Sequence, residues 1–490
     1  MDERVFPSLG LLRVAASLEQ QGHAVQVLDL TGIENFLKVL EQFLAGSSVT
    51  MFGLSATTPQ LPAVARIAEV IRAQRPLARL ILGGPHVTLL YSAQDWEQRH
   101  HINDGRGQRA LTALAKRFDV LVAGDGELAV HAAIATDAPW LVNGDDRHGP
   151  YFMTDAIYEA TPLPARHLID LGSYHYSIEG RPATSLIAQL GCPFSCGFCG
   201  GRNSKSLRVP RHRSAGSLTG ELEMLHRRYG YTGFMLYDDE LNVNRKRFLT
   251  LLAEIRRLQD RLGVEFSLRG FIKAELFDAE QAQAMYAAGF RWLLCGFEAC
   301  TPRILTNINK RATLDDNDRA VAIAKDAGLK IKALMSCGHP GDSENSILAI
   351  RDWLISRCVD DFDCSIITPY PGTPYYDEAK PHPDQPGVWT YTTRATGDRL
   401  HSQDVDYFAD AQYYKGDPDG GYKSFVFTDH LRAEDIARLR DQVEREVRAA
   451  LGIPFNASRA AQRFEHSMGQ GLPEFILRRR FAEAGETVGR

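Results

Sequence analysis

The sequence predicts an α/β protein with a doubly wound parallel sheet, a partial (β/α)6 barrel and a mainly helical or irregular C-terminal subdomain. Short apolar runs alternate with helix-spaced apolar residues over the first 145 residues. This alternation predicts parallel strands covered by helices on both faces. It resumes near Ser185 with six strand–helix units, which are too few to close an eight-stranded barrel. It stops after Gly372, where prolines and aromatic residues accumulate.

The bulk composition is that of an ordinary globular chain. Its 490 residues are 44% hydrophobic and 24% charged, with a formal net charge of −5, so two or three domains can each bury a core. Because no long basic run is present, we expect no nucleic-acid partner. No 18-residue apolar run exists and Met1–Arg4 does not open a signal peptide, so we expect no membrane segment. Eight cysteines, three of them clustered, indicate the reducing cytoplasm.

The N-terminal pattern predicts a helix over Leu9–Gly22 followed by the strands of the first sheet. These strands are expected at Ala24–Leu30, Thr50–Ser55, Arg79–Leu82 and Asp119–Ala123. Ligands of doubly wound sheets bind beyond the carboxyl ends of the strands. The candidate ligand contacts at those ends are Ser55, Thr57, Thr58, Gly83, Gly84, His86, Gly124, Gly126 and Glu127. Taken alone, these residues would suit any nucleotide-binding domain.

The second alternating region predicts six barrel strands, each followed by a helix with one apolar face. The strands are expected at Ser185–Gln189, Gly233–Tyr237, Glu265–Phe271, Trp292–Phe297, Lys330–Met335 and Asp363–Thr368. Active sites of such barrels lie at the carboxyl ends of the strands. Candidate site residues on or after these strands are Asp238, Asp239, Glu240, Arg269, Glu298 and the segment Ser336–His339.

Three of the eight cysteines, Cys192, Cys196 and Cys199, lie within eight residues directly after the first predicted barrel strand. Thiolates spaced C-x3-C-x2-C can bind three irons of a 4Fe–4S cube and leave the fourth iron without a protein ligand. A reactive metal centre needs such an open position. A zinc site or a disulfide is the alternative, but zinc normally takes four ligands and no nearby C-x2-C or H-x3-H pair supplies the fourth.

At these cysteines the sequence resembles the radical S-adenosylmethionine (SAM) superfamily, whose signature is C-x3-C-x-aromatic-C with Phe198 at the aromatic position. The resemblance implies that the three cysteines are the catalytic ligands of a 4Fe–4S cluster whose free iron is chelated by SAM. Reduction of SAM by the cluster then yields a 5′-deoxyadenosyl radical, with electrons from an external donor of flavodoxin or ferredoxin type. This is cofactor chemistry that the protein orients and shields.

The same resemblance implies roles for the residues at the strand ends. Asp238–Glu240 take the place of the motif that contacts the SAM amino group, and Arg269 pairs with the carboxylate. Glu298 matches a position that contacts polar groups of SAM, and Phe198 lies at the adenine. The alternatives are structural, since the acidic residues could cap helices and Arg269 and Glu298 could form ordinary salt bridges.

The N-terminal motifs look like the Rossmann-like cobalamin-binding domain that precedes many radical SAM modules. The matching pieces are Pro7–Leu12, Gly22–Val25, Gly83–Thr88 and Gly124–Glu127. Asp29–Gly32 lacks the histidine of the D-x-H-x2-G motif, so the resemblance implies cobalamin without a histidine ligand. His86 is a weaker candidate ligand, because a histidine in a Gly-Pro turn is more often merely polar. Only six residues precede Pro7, and we therefore expect the first strand of this domain to be missing.

These assignments give four regions: a cobalamin-binding domain over 1–145, a linker over 146–182, a radical SAM partial barrel over 183–372 and a C-terminal subdomain over 373–490. The C-terminal subdomain is expected to act as a lid that excludes water, as a packing unit with an aromatic core, or as both. Its last predicted helix covers Leu431–Leu451.

The resemblance implies a cobalamin-dependent radical SAM enzyme that methylates an unactivated carbon of a small molecule through methylcobalamin. Radical oxidation, cyclisation or rearrangement without methyl transfer is the alternative within enzymes. A cobalamin carrier or sensor without turnover is a third possibility, against which the intact cysteine trio argues. No loop carries an unambiguous clamp for a carboxylate, phosphate or peptide, so the sequence does not identify the substrate.

Overall fold

The structure is a computed structural model that describes residues 6–409 and 423–454. Two parallel sheets with their helices are followed by a small antiparallel sheet and a long final helix. The expected α/β class, with a helix-covered first sheet, an open barrel and a C-terminal subdomain, is confirmed. Residues 410–422 and 455–490 of the predicted C-terminal subdomain lie outside the described residues.

The first sheet is parallel, and its strands follow one another in sequence order. They are β1 (Met51–Ser55), β2 (Arg79–Gly83), β3 (Val120–Gly124) and β4 (Leu141–Gly144). On β2, Leu80 and Leu82 pack into one buried cluster, whereas Ile81 packs into another. Because successive side chains of a strand point to opposite faces, the two clusters lie on the two sides of the sheet. Burial on both sides is what the continuous apolar runs predict.

The predicted strand at Ala24–Leu30 is wrong, because this segment has no strand conformation and pairs with no strand of the described residues. Its apolar side chains are instead divided between the two cores, with Val27 buried in the core of the barrel and Leu30 in that of the first sheet. The Tyr174 hydroxyl donates a hydrogen bond to Asp29 Oδ2 at 2.6 Å and adds a polar contact to this packing. Packing against another part of the chain therefore overrides the local strand preference of these residues.

The second sheet is the open barrel that the six strand–helix units predict. Its six long strands are parallel, a short antiparallel strand lies at one end, and the order is β13-β12-β11-β10-β9-β6-β5. Its strands and the two of an adjacent ribbon are β5 (Ser177–Ile178), β6 (Arg181–Leu186), β7 (Gln189–Leu190), β8 (Arg211–His212), β9 (Gly233–Leu236), β10 (Ser267–Ile272), β11 (Phe290–Glu298), β12 (Lys330–Cys337) and β13 (Asp361–Ile366).

Helices cover the outer face of the barrel and both faces of the first sheet. A typical example is the helix over Arg245–Leu262, which is capped by Asn244. It buries Phe248, Leu252 and Ile255 and ends at Gly263, which has φ +65°. The helices are α1 (Leu9–Gln20), α2 (Phe36–Gly46), α3 (Leu61–Gln74), α4 (Pro85–Arg99), α5 (Arg106–Ala115), α6 (Gly126–Ala133), α7 (Asp155–Ala160), α8 (Lys205–Arg208), α9 (Ala215–Tyr229), α10 (Arg245–Leu262), α11 (Ala279–Ala287), α12 (Pro302–Asn307), α13 (Leu314–Asp326), α14 (Glu344–Arg357), α15 (Pro374–Asp377) and α16 (Ala433–Leu451). None of those within the described ranges has both the length and the apolar surface that a membrane span needs.

The C-terminal subdomain closes the open end of the barrel at β13. Its antiparallel strands are β14 (Lys380–Pro381), β15 (Val388–Thr392), β16 (Arg399–Gln403) and β17 (Val426–Thr428). Helix α16, which confirms the predicted helix at Leu431–Leu451, lies along β13. Arg440 donates to the carbonyl of Cys364 at 2.8 Å, and Arg448 donates to that of Phe362 at 3.3 Å. An edge strand leaves such carbonyls unpaired, and here guanidinium groups satisfy them.

Both guanidinium groups share one carboxylate, that of Glu444, which is fully buried between them. Substitution E444A should deprive two buried cations of the anion that they share and leave them with the more exposed Asp441 and Asp361, and removal of one partner from such a group costs about 3–5 kcal/mol. We expect a clearly lower urea midpoint for unfolding of the barrel. E446A is the matched control on the same helix, because Glu446 pairs with Arg351 at the surface and should contribute less than about 1 kcal/mol. Equal midpoints for the two variants would contradict the conclusion that this charged group of α16 stabilises the edge strand β13.

Candidate active site at the facing edges of the two sheets

The cysteine loop follows the short strand β7 and is held by backbone contacts on both sides. The Cys192 amide donates to the carbonyl of Leu207 at 3.0 Å, and the Gly197 amide donates to that of Ile308 at 2.8 Å. The Arg208 guanidinium donates to the carbonyls of Phe194 and Pro193, at 2.5 and 2.8 Å. The loop conformation therefore depends on two segments that follow it in the sequence, and not on its own residues alone.

Two of the predicted site carboxylates support the start of this loop. Asp238 is buried and accepts hydrogen bonds from the amides of Ala188 and Gln189. Asp239 Oδ2 accepts from the amide of Gly191 at 2.8 Å. Burial raises the pKa of Asp238 to about 7, although the two amides oppose the shift. In this structure both residues position the cysteine loop, and their predicted contact with SAM stays a prediction.

The three thiols of the loop lie close enough together to affect one another's ionisation. Burial raises the pKa of Cys192 to about 12, with further contributions from Glu240 and Asp239. Burial also raises the pKa of Cys196, and that of Cys199 is raised by desolvation and by the other two thiols. The Cys199 side chain is nevertheless exposed to solvent. Cluster assembly must therefore displace three protons.

Among the described residues, no three cysteine, histidine or acidic side chains converge on a single point as the ligands of one metal ion do. A cube differs in this respect, because each cysteine binds a different iron. The chemistry of the donor set, three neighbouring thiols with an aromatic residue between the last two, therefore fits a cluster better than a single ion. This agrees with the expectation from the cysteine spacing.

Glu240, the third member of the predicted acidic motif, differs from the other two. Its Oε2 atom is buried and has no hydrogen-bond partner among the described residues. Burial raises the pKa of Glu240 to about 7, and the positive charges of Lys310 and Lys273 oppose that rise. Cys192 and Cys196 both respond to its charge. An unpartnered carboxyl beside the thiols is suited to a cationic group of a ligand.

Glu298 ends β11 with φ +66°, at a register shift between Gly296 and Glu298. A left-handed conformation in a residue other than glycine is strained and is often found at functional sites. Glu298 Oε1 lies 3.1 Å from Lys310 Nζ. Burial alone would lower the pKa of Lys310, but the attraction of Glu298 and of its other negative neighbours raises it well above the ordinary value.

A second buried cation, Lys273, follows β10 and lies beside the first. Its ammonium group lies 4.3 Å from the Phe194 ring centroid and donates to the Lys310 carbonyl at 3.2 Å. Its ion-pair partner is Glu275 at 2.8 Å. The sequence analysis missed both lysines. Lys273 stands directly after a barrel strand and could have been found from that position, whereas Lys310 lies in a loop and gives no such signal.

The structure separates Arg269 from this group. Arg269 is in register with Trp292 on β11, six residues before Glu298, which corresponds to about 20 Å along a strand. Its guanidinium group donates to the Tyr176 hydroxyl at 2.8 Å and lies over the Trp292 ring. Arg269 therefore lies inside the barrel toward the amino ends of the strands. The cations at the level of Glu298 are Lys273 and Lys310.

Phe198 lies in the cysteine loop against the end of β12. Its ring makes an edge contact with the His339 imidazole, with centroids 5.2 Å apart. His339 belongs to the segment Ser336–His339, where Ser336 donates to Glu298 Oε2 at 2.7 Å. The structure thus brings together Phe198, Glu298 and the end of the fifth long strand, as the barrel rule predicts.

The candidate residues of the first sheet lie at the carboxyl ends of β1 and β2. Ser55 is exposed at this edge, and Gly83 and Gly84 are partly exposed. Gly84 has φ +95° and lies so close to Ser55 and Ala56 that a side chain has no room there. Thr57 forms a capping box with Gln60. The small residues at these positions thus leave this edge without bulky side chains.

His86 and Thr58 lie deeper under the same edge. His86 is buried, its Nδ1 lies 3.1 Å from the Thr58 hydroxyl, and its ring contacts that of Tyr407. Burial lowers the pKa of His86 to about 3. The imidazole is neutral, is covered by Tyr407 and is hydrogen-bonded to Thr58. It therefore lies beneath the exposed edge, whereas a metal ligand would have to point out of it.

The third loop of the edge, Gly124–Glu127, is tied to other parts of the chain. The Gly124 amide donates to the Thr88 hydroxyl at 2.9 Å. Gly126 packs against Val14 on α1, and Glu127 pairs with Arg13 of the same helix at 3.2 Å. The Glu127 carboxylate is therefore satisfied within the first domain.

Two aspartates, Asp125, which is partly buried, and Asp145, which is buried, connect this edge to the segment that follows the cysteine loop. Asp125 forms an ion pair with Arg211, and burial raises the pKa of Asp125 to about 7 although Arg211 opposes the shift. Asp145 Oδ1 accepts from the Ser204 hydroxyl at 2.6 Å and from the Ser206 amide at 2.7 Å. The candidate ligand edges of the two sheets therefore face each other. The sequence analysis missed these connectors, because an aspartate after a strand carries no sign of its distant partner.

Comparisons with known proteins agree with this arrangement. Residues 186–354 match the sequence profile of the Radical SAM superfamily, and residues 3–115 match that of the B12 binding domain. An uncharacterized methyltransferase of Pyrococcus horikoshii is 24% identical over 387 residues, which cover 76% of this chain and 78% of that protein. The anaerobic magnesium-protoporphyrin IX monomethyl ester cyclase of Rubrivivax gelatinosus is 25% identical over 66% of this chain and 58% of that enzyme.

Solved structures share the fold. The radical SAM methyltransferase TsrM from Kitasatospora setae, with cobalamin and a [4Fe-4S] cluster bound, superposes with a TM-score of 0.59 at 18% identity, covering 89% of this chain and 88% of that one. The same enzyme with a tryptophan substrate and a SAM analogue gives a TM-score of 0.60 over 96% and 91% of the two chains.

The two domains and the cysteine loop together define the class of protein. The chain is a radical SAM enzyme with a B12 binding domain, and its cofactors are the 4Fe–4S cluster, SAM and cobalamin. The residues present fit these groups: three neighbouring thiols suit the cluster, the orphaned Glu240 oxygen suits the ammonium of SAM, and the open small-residue edge suits a bulky ring.

The depressed pKa of His86 predicts how stability depends on pH. The unfolded chain protonates this ring below about pH 6.5, whereas the folded chain resists protonation down to about pH 3. The contribution of His86 to the free energy of unfolding is therefore complete above pH 6.5 and is lost as the pH falls. At pH 5 the loss from this residue is about 2 kcal/mol. H86Q should lose less stability than the wild type between pH 7 and pH 5 in urea unfolding of the N-terminal domain. H100Q, which changes an exposed histidine, is the control, and identical pH slopes for H86Q and the wild type would contradict the assignment.

Proposed function

We propose that this enzyme cleaves SAM reductively to a 5′-deoxyadenosyl radical and methylates an unactivated carbon of a small molecule through cobalamin. The observation that carries the proposal is the facing arrangement of the cysteine loop and the small-residue edge of the first sheet. Asp125 and Asp145 bind the segment directly after the cysteines, so a group bound at one edge lies across from a group bound at the other. Transfer between two cofactors needs such an arrangement.

The cysteine trio would hold the cluster, and the residues around it would hold SAM. Glu240 offers the amino group a buried carboxyl oxygen without a partner, and burial raises the pKa of Glu240 to about 7. Lys273 and Lys310 take the role of carboxylate partner that the sequence analysis gave to Arg269, because they lie at the level of Glu298. Phe198 and Glu298 would contact the nucleoside, the ring by packing and the carboxylate by hydrogen bonds.

The edge of the first sheet would hold cobalamin. Ser55 and Thr57 offer hydroxyl groups, and the glycines at positions 83, 84 and 124 allow close approach of the backbone. His86 and Thr58 support this edge from beneath. The burial of His86 and the missing D-x-H-x2-G motif both favour cobalamin bound without a histidine ligand.

The remaining expectations belong to the same proposal. The domain limits 1–145, 146–182, 183–372 and 373–490 are consistent with the matched ranges 3–115 and 186–354. All eight cysteines are free, which supports a reducing compartment such as the cytoplasm. A small-molecule substrate is supported by the tryptophan bound to TsrM, and an external flavodoxin or ferredoxin would supply electrons.

Single substitutions C192A, C196A and C199A should each abolish the cluster, because three cysteines must bind three irons. After anaerobic reconstitution we expect about four irons per chain in the wild type and less than one in each variant, measured by iron and sulfide analysis with the visible spectrum. C358A is the control, since Cys358 is an exposed cysteine that lies outside the loop. Wild-type iron in any of the three loop variants would refute the assignment.

Methyl transfer is tested with protein reconstituted with iron, sulfide and hydroxocobalamin. Under a low-potential reductant and with SAM, we expect S-adenosylhomocysteine in an amount about equal to the bound cobalamin, even before a substrate is found. Formation of 5′-deoxyadenosine alone would favour radical oxidation, cyclisation or rearrangement, a reading that the similarity to the cyclase supports. Reconstituted protein that consumes no SAM would instead indicate a cobalamin carrier or sensor.

A further inference from the structure

A continuous set of hydrogen bonds runs from the fifth long barrel strand to the cation beside the cysteines. His339 Nε2 lies 2.8 Å from the Ser336 hydroxyl, and Ser336 donates to Glu298 Oε2 at 2.7 Å. Glu298 Oε1 accepts from Lys310 Nζ at 3.1 Å. His339 is fully buried, and Ser336 and Lys310 are buried almost completely. Each of these groups is therefore held by protein partners.

The direction of each bond follows from the number of protons available. Ser336 has one hydroxyl proton, and it is given to the Glu298 carboxylate. The Ser336 oxygen must then accept from His339, which assigns the proton of the imidazole to Nε2. His339 Nδ1 remains an acceptor and faces the Tyr375 hydroxyl at 3.5 Å. Burial lowers the pKa of His339 to about 4, which is consistent with this neutral tautomer.

The backbone around His339 is fixed as firmly as its ring. Gly338 adopts φ +87° directly before it, and Asp342 Oδ2 accepts from the amides of both Gly338 and His339 at 2.9 Å. Asp342 is in turn held by the Ser346 hydroxyl at 2.6 Å. The imidazole therefore has a defined position before any ligand binds.

The other side of the imidazole ring contacts the cysteine loop. Its ring makes the edge contact with Phe198 described above. Tyr375, which faces His339 Nδ1, also packs so closely on Gly197 that a side chain at Gly197 would meet the tyrosine ring at 2.8 Å. Phe198 is thus confined from one side by His339, while its neighbour Gly197 is confined by Tyr375.

We propose that His339 is a positioning residue for SAM that fixes both the aromatic ring of Phe198 and, through Ser336, the carboxylate of Glu298. The inference rests on the proposed SAM site, and it adds a residue that touches neither the cluster nor SAM. The His339 side chain thus positions two groups of the site that lie on different elements, Phe198 on the cysteine loop and Glu298 on β11. An apolar ring of similar size would keep the packing against Phe198 but would leave the Ser336 oxygen without its donor.

Two substitutions separate the two contacts. H339Q retains a side-chain N–H that can reach Ser336, and H339F retains a ring against Phe198 without a hydrogen bond. We expect H339F to raise the Kd for SAM about tenfold, the effect of one well-placed hydrogen bond, and H339Q, which loses the ring contact with Phe198, to raise it about threefold. The reconstituted proteins should contain equal iron. Titration of SAM would be followed by calorimetry and by the SAM-induced change in the EPR spectrum of the reduced cluster.

H401F is the matched control, because His401 is also buried and bonded through both ring nitrogens, to Thr390 and Asp429, in the C-terminal sheet. Its apo melting temperature should fall at least as much as that of H339F, with no change in SAM affinity. Unchanged SAM affinity and EPR response in H339F, with a wild type that binds SAM, would overturn the inference. A wild type that binds iron but not SAM would overturn the proposed function instead.

Discussion

The ion pair between Asp125 and Arg211 and the hydrogen bonds of Asp145 are the constraint on which the arrangement of this enzyme depends. Both aspartates follow strands of the first sheet, and their partners follow the cysteine loop. All of these groups are buried or nearly so, and an unpaired charge in such surroundings is costly. The two candidate cofactor edges are therefore held at one separation without any ligand present.

The same principle operates inside the barrel. Glu298 is surrounded by Lys310 and Ser336, and Ser336 leads to His339, so the strained end of β11 is stabilised by partners from two other elements. Glu240 differs from Glu298, since one of its buried oxygens has no partner among the described residues. A buried carboxyl oxygen left without a partner beside the cysteine loop is suited to bind a cationic group of a ligand.

Sequence periodicity predicted the architecture well and the paired segments less well. The six long barrel strands were expected within a few residues of their ends, because each combines an apolar run with turn residues. Ala24–Leu30 shows the same local pattern, but Val27 packs into the barrel core and the segment never joins the sheet. The resemblance implies that Arg269 pairs with the SAM carboxylate, a role that stays a prediction, and the register of its strand puts Arg269 beside Trp292 inside the barrel.

The sequence by itself determined the cysteine trio, the aromatic residue beside it and the two α/β domains, because ligand spacing and hydrophobic period are local properties of the chain. Only the tertiary structure decided that Asp238 and Asp239 support the loop, that Lys273 lies against Lys310, whose ammonium group pairs with Glu298, and that Arg211 joins the domains. These roles depend on which residues meet across long sequence separations. No local pattern encodes that information, since the same side chains serve equally well as caps or surface charges.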